Sequence, residues 1–142
     1  MFLAFYRSFM DLVYAASFPY LARRYKEGFR ERRGFYSKEF RDLVKGERPL
    51  WIHAVSVGEV QSSMPFISQI RKEDTRRRVI LSTITPTGKK MSDRLLQEKM
   101  DAHFYYPWDV SRIVNRALNI IHPEAYITLE TEIWPTLLSE LS

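Results

Sequence analysis

The sequence predicts an α/β domain built on a Rossmann-like parallel sheet and preceded by an N-terminal membrane-anchor helix. Three observations carry this. From Pro49 onward one unit recurs, an apolar β-rich run, then a short polar loop, then apolar residues at helical spacing. Met1 to Ala22 is apolar but for Arg7 and Asp11, and a dense basic stretch follows it. The 142 residues have room for one buried core, and a content of 45% hydrophobic and 27% charged residues is that of a folded chain.

The segment 1–22 is read as the anchor. A cleaved signal peptide carries its positive charge before the apolar run, and here most of it comes after. Pro19 and the two internal charges leave the segment marginal against the roughly twenty apolar residues a spanning helix needs. A tilted short span and an in-plane amphipathic anchor fit equally well; a core helix of a soluble domain is the plain alternative. Arg23, Arg24, Lys26, Arg30, Arg32 and Arg33 then give the positive-inside pattern of a membrane anchor. They open a basic linker or helix over 23–48. Glu31 stands inside it, and read alone it is a solvated acid whose arginine neighbours lower its pKa and keep it ionised.

Residues 49–142 form the Rossmann-like domain. Leu50 to Val55 is the first strand, with a helix after Glu59 to about Lys72. Arg78 to Ser82 is the second, with a helix to about Lys99. His103 to Tyr106 is the third, followed by a helix over Val110 to Ile121, and Ala125 to Leu129 is the fourth. Strands that alternate with helices argue for a parallel sheet covered on both faces. Ligands of such sheets sit beyond the carboxyl ends of the strands, where the polar clusters of this chain all fall. The chain stops at Ser142, a turn or two into the helix after the fourth strand. The expectation is therefore a fragment whose missing part holds at least one more domain.

Three clusters are candidates for binding. Ser56, Gly58 and Glu59 leave a strand and open a helix, which suits a phosphate or carboxylate; the same residues also make a capping box. Thr83, Thr85, Thr87 and Gly88 form a hydroxyl-rich turn that either holds a sugar or phosphate or caps the next helix. Without the Gly-x-x-x-x-Gly-Lys-Ser/Thr spacing it is not a Walker loop. Glu130 and Glu132 share a face if the strand continues, and either bind sugar hydroxyls or cap the helix at Trp134-Pro135.

The absence of cysteine excludes a disulfide scaffold and a cysteine-ligated metal, and the three histidines are too scattered for a zinc site. A net charge of +5 and a pI near 9.6 suggest an anionic partner. The basic run adjoins an apolar anchor, so phospholipid or a phosphorylated substrate is favoured, and no nucleic acid is expected.

Four segments together resemble the Kdo (3-deoxy-D-manno-octulosonic acid) transferase family, in order and in spacing: Glu31-Arg32-Arg33-Gly34-Phe35-Tyr36, Trp51 to Glu59, Thr83 to Gly88, and Glu130-Thr131-Glu132-Ile133-Trp134-Pro135. The likeness covers essentially the whole chain. It implies the N-terminal, acceptor-binding half of a GT-B glycosyltransferase on the cytoplasmic face of the bacterial inner membrane, with neither metal nor cofactor. CMP-Kdo is the implied donor, bound mainly by a C-terminal domain, and lipid IVA, the lipid A precursor, is the implied acceptor. Glu31 matches the position of the family's catalytic base. The arginines around it, Arg30, Arg32 and Arg33 among them, become partners for lipid A phosphates. Ser56, Gly58 and Glu59 match the family's strand-to-helix signature, and Glu130 and Glu132 its last motif. The alternative is a membrane-tethered lipid A or anionic-lipid binding module without catalysis.

Overall fold

Four short strands form the centre of the molecule, the inner two buried and the outer two partly so. They are β1 (Leu50–His53), β2 (Val79–Thr83), β3 (Ala102–Tyr105) and β4 (Ala125–Thr128). In the computed structural model, which describes residues 1–142 except the side chain of Leu96, they pair in parallel in the order β3-β2-β1-β4. Trp51 lies beside Ile80 and Tyr126, and Ile52 beside Leu81 and Ile127. The period of two along each strand therefore sorts side chains into two cores. Trp51, Ile80 and Phe104 face one side; Ile52, Val79 and Leu81 face the other.

Helices α4 (Val57–Glu73) and α5 (Pro86–Leu96) carry the first two crossovers and close the second core with Val60 and Ile67. Helix α6 (Ser111–Ile121) crosses back over the opposite face with Val114, Ala117 and Ile121. Its return places β4 on the far side of β1, so the strand order reverses at the β1/β4 boundary. That reversal is the switch point at which open α/β sheets bind ligands. Predicted and observed strands agree to within one or two residues at each end.

The basic segment is not a linker. It folds into α2 (Phe29–Arg32) and α3 (Lys38–Val44), and Tyr36, Phe40 and Val44 pack into the core beneath α6. Ser37 caps α3 by accepting the Phe40 N–H at 3.2 Å. Tyr36, Phe40 and Phe104 form an aromatic cluster with ring centroids 4.8–5.6 Å apart, a favourable edge and offset geometry.

Residues 2–24 form α1 (Phe2–Arg24), and one stripe of it rests on the domain. Tyr14 is buried there with Val110 and Ile113, and Phe18, Leu21 and Trp108 pack around them. The opposite stripe, Phe2, Phe5, Phe9, Leu12 and Tyr20, is apolar and exposed. Among the described residues no helix is long and apolar enough to cross a membrane.

Asp109 joins three of these pieces. Its carboxylate accepts the N–H groups of Thr136 and Leu137 at 3.0 and 2.8 Å, in the first turn of α7 (Pro135–Leu141), and the Tyr6 hydroxyl of α1 at 2.9 Å. Burial and the neighbouring carboxylate push the Tyr6 phenol up to about 12. Asp109 therefore caps the helix that Glu130 and Glu132 cap in one of their two open readings. It is only 2% exposed, so its removal leaves two buried N–H donors without partners. Asp109→Ala is expected to cost about 2–4 kcal/mol in urea denaturation. Tyr6→Phe removes only one half-buried bond, and should cost about 1 kcal/mol or less.

Candidate functional site

The carboxyl edge of the sheet holds most of the candidates, in two groups. The first surrounds β3. Gly28 takes a left-handed conformation, φ 68°, just before α2, and the ring of Tyr105 fills the space where a Cβ would stand, 1.8 Å from the nearest ring atom. This contact is possible only for glycine. It presses α2 against the end of β3, so that Glu31 Oε2 accepts the Tyr105 N–H at 2.8 Å. The other carboxylate oxygen makes no hydrogen bond to a described residue, and it is not buried. Glu31 lines a cavity of about 370 Å³ together with Arg30, Phe35, Tyr36, Lys38 and Arg41.

The electrostatics of Glu31 reverse the sequence expectation. Its pKa is raised, not lowered, because burial of the carboxylate outweighs the Tyr105 N–H and the cations Lys89 and Arg32, while Glu27 adds to the rise. Most of the neighbouring arginines point away from it. Arg32 is 2% exposed, with its guanidinium between the rings of Tyr25 and Tyr105 at 4.9 and 4.4 Å, donating to the Ile84 carbonyl. A group so enclosed is a structural cation, not a surface phosphate ligand. Arg30 is exposed, and Arg33 turns toward α6.

The second group lies at the switch point. Ser56 begins α4, but its side chain caps no helix N–H, so the expected capping box does not form. Glu59 accepts the Val55 N–H at 2.6 Å and the Ser56 hydroxyl at 3.0 Å. Gly58 is exposed, with open space at its Cα. Glu130 and Glu132 do not share a strand face, because β4 ends at Thr128. Glu130 is exposed, whereas Glu132 turns in to accept the Trp134 Nε1–H at 3.1 Å. Burial raises the pKa of Glu132, and Glu59 and Glu130 raise it further, so the three carboxylates form one negative rim.

His53, within the Trp51 to Glu59 segment, is a site residue that sequence reasoning misses. It is fully buried at the end of β1, tilted against the Tyr106 ring with centroids 4.0 Å apart, and its Nδ1 lies 2.9 Å from Ser82 Oγ. Nε2 has no hydrogen-bond partner and stands 3.7 Å from Glu132. Burial lowers its pKa to about 4, so at neutral pH the imidazole is uncharged and its contact with Glu132 is not an ion pair. The available signal was a histidine at a core-facing position inside an apolar strand.

The threonine turn is mostly structural. Thr85 caps α5 by accepting the Gly88 N–H at 3.0 Å. A Cβ on Gly88 would meet that same hydroxyl at 3.0 Å, so glycine keeps room for the cap. Thr83 is buried, its hydroxyl 2.9 Å from His103 Nε2. Thr87 alone presents an exposed hydroxyl, bonded to Thr85 at 3.2 Å.

A parallel sheet in this order, covered by helices on both faces, defines a Rossmann-like domain of the α/β class. The chain belongs to the 3-deoxy-D-manno-octulosonic-acid transferase (kdotransferase) family, whose N-terminal glycosyltransferase model matches residues 27–142. It is similar to the 3-deoxy-D-manno-octulosonic acid transferase of Haemophilus influenzae, 34% identical over 120 residues, which is 83% of this chain and 27% of that protein. Similarity to a bifunctional glycosyltransferase/methyltransferase of Fusobacterium nucleatum is 33% over 129 residues, 87% of this chain and 19% of that protein. The Aquifex aeolicus 3-deoxy-D-manno-octulosonic acid transferase is 30% identical over 109 residues, 73% and 28% of the two chains. The chain thus spans between 19% and 28% of the length of these curated relatives.

The raised pKa of Glu31 has a measurable consequence. The folded chain holds that proton more tightly than the unfolded chain, so the ionised carboxylate costs stability above the folded pKa, and the cost fades as pH falls through it. Glu31→Gln keeps an acceptor for the Tyr105 N–H and carries no charge. By circular dichroism it is expected to melt above the parent at about pH 8 and to converge with it near about pH 4. Lower stability of the variant at the higher pH would mean that the neighbouring cations, not burial, dominate the site.

Proposed function

We propose that this chain is the acceptor-binding part of a GT-B glycosyltransferase that moves Kdo from CMP-Kdo to lipid IVA without a metal, at the cytoplasmic face of the bacterial inner membrane. The observation that supports the reaction is the setting of Glu31. A carboxylate with one oxygen held by a backbone N–H keeps the other aimed and free, and burial gives it more basicity than a solvated acid. In the proposed step the free oxygen takes the proton of an acceptor hydroxyl while that hydroxyl's oxygen attacks the anomeric carbon of Kdo. The bond from that carbon to the phosphate oxygen breaks, and CMP leaves with the electron pair, inverting the centre. Arg30, Lys38 and Arg41 line the same cavity and give a negatively charged acceptor and donor a favourable field.

The carboxylate rim at the switch point is proposed to hold sugar hydroxyls, with Glu132 and the exposed Glu130 as acceptors and Glu59 committed to its helix. The membrane part of the reading rests on α1. Its outer stripe is apolar and its inner stripe is docked on the domain, so we propose that it lies in the plane of the interface with Phe2, Phe5, Phe9 and Leu12 among the lipid acyl chains. Arg23 and Arg24, exposed in its last turn, then meet anionic headgroups.

Both halves of the proposal are testable. With membranes carrying this chain together with the C-terminal domain of a homologous Kdo transferase, transfer from CMP-Kdo to lipid IVA is expected, and Glu31→Gln is expected to slow it about 100-fold to 10,000-fold with acceptor binding retained. Transfer at the parental rate would remove Glu31 from the role of base. In flotation assays with vesicles containing anionic lipid, the pair Phe5→Ser and Phe9→Ser is expected to weaken association by about tenfold or more, with the circular dichroism spectrum unchanged. Undiminished association would mean that the stripe does not enter the bilayer.

A further inference from the structure

Three arginines from two elements converge between α1 and α6, and no carboxylate meets them. Arg33 leaves the end of α2, and Arg112 and Arg116 stand one turn apart on α6. They border a cavity of about 340 Å³ whose remaining wall is Tyr14, Ala15, Phe18 and Ile113. None of the three forms an ion pair with a described residue, and from Ser111 to His122 the chain has no acidic residue at all. Asp11, the acid of α1, is exposed and makes no ion pair with them.

Their donors are mostly unspent. Arg116 gives one N–H to the Arg33 carbonyl at 2.8 Å, and the guanidinium groups of Arg33 and Arg112 make no hydrogen bond within the described residues. What holds them is aromatic faces. Arg33 lies over Phe18, Phe29 and Phe35 at 5.3–5.4 Å, Arg112 over Tyr14 at 5.3 Å, and Arg116 over Phe35 at 4.1 Å. Stacking fixes the plane of a guanidinium and leaves its N–H edge pointing outward. Like charges gathered around a cavity repel one another unless an anion joins them.

We infer that this cavity binds a phosphomonoester. A dianion with three terminal oxygens suits three guanidinium edges, since each takes two parallel hydrogen bonds, and the aromatic wall lies against whatever apolar group the phosphate carries. A carboxylate has only two oxygens and a single charge, and it would leave one arginine unmatched. The site does not depend on Glu31 being a base, and it stands apart from the cavity that Glu31 lines. The ligand comes from one of two sources, the headgroup of a lipid with a terminal phosphate or a free phosphate in solution.

The test uses the whole chain with two probes. Phosphatidylcholine vesicles are doped with phosphatidic acid, whose phosphate is a monoester, or with phosphatidylglycerol, a diester, to the same surface charge. The chain is expected to bind the phosphatidic acid vesicles about tenfold more tightly. The pair Arg112→Gln and Arg116→Gln is expected to lose that preference and keep its phosphatidylglycerol binding through α1. The pair Arg112→Lys and Arg116→Lys keeps the charge without the fork, and should also lose most of the preference, which separates a built site from bulk attraction. Inorganic phosphate is the second probe, followed by the side-chain Nε–H resonances of Arg112 and Arg116 at constant ionic strength. Saturable shifts without a vesicle preference support the site with a soluble ligand; a vesicle preference supports it with a lipid. Equal binding to both vesicles and no saturable shift would overturn the inference, as would a preference that survives both pairs of substitutions.

Discussion

The burial of Arg32 is the contact on which the site depends. A guanidinium taken out of water is costly, and here two aromatic faces and the Ile84 carbonyl offset that cost in place of a carboxylate. The Arg32 carbonyl in turn accepts the Trp108 N–H at 2.9 Å. These bonds draw the basic segment down onto the ends of β2 and β3. Together with the close contact of Gly28 and Tyr105 they seat Glu31 at the Tyr105 N–H and place Arg33 beside α6.

A second constraint acts between α1 and the rest. Asp109 takes the orphan N–H groups of α7 and the Tyr6 hydroxyl together, and Arg7 pairs with Glu140 of the same helix. Helix α1 is thereby set against α7 at one end and against Trp108 and Ile113 farther along. An apolar helix joined by a flexible tether would take any angle to its domain. This one has a fixed rotation, so its outward stripe has a fixed relation to the cavities beside α2 and α6. Burial of a second apolar face by lipid is then compatible with burial of the first by protein.

Much of the fold was legible from spacing. Apolar β-rich runs, helical spacing after each of them and the polar loops between identify a parallel sheet with its polar clusters along one edge. The capping role of Thr85 was visible as one of two open readings, because a cap needs only residues three or four apart, whereas Ser56 gives its hydroxyl to Glu59 and accepts no cap bond. What stayed hidden was every effect of contacts far apart in sequence. Asp109 reaches α7 across 27 and 28 residues, and Glu31 reaches Tyr105 across 74. The expectation of a lowered pKa at Glu31 counted its arginine neighbours along the chain, while burial, which dominates, is a property of the packed molecule.

The sequence by itself therefore determined the class of fold, the edge on which polar residues gather and the family to which the motifs belong, because periodicity and turn chemistry are local. It also determined that the basic charge adjoins an apolar helix. Only the tertiary structure decided which arginine is interior and which are open, that Glu130 and Glu132 part company after β4, and that His53 is an uncharged imidazole inside the sheet. Those outcomes depend on which groups lose water and which find a partner, and neither is defined until the helices have closed over the sheet.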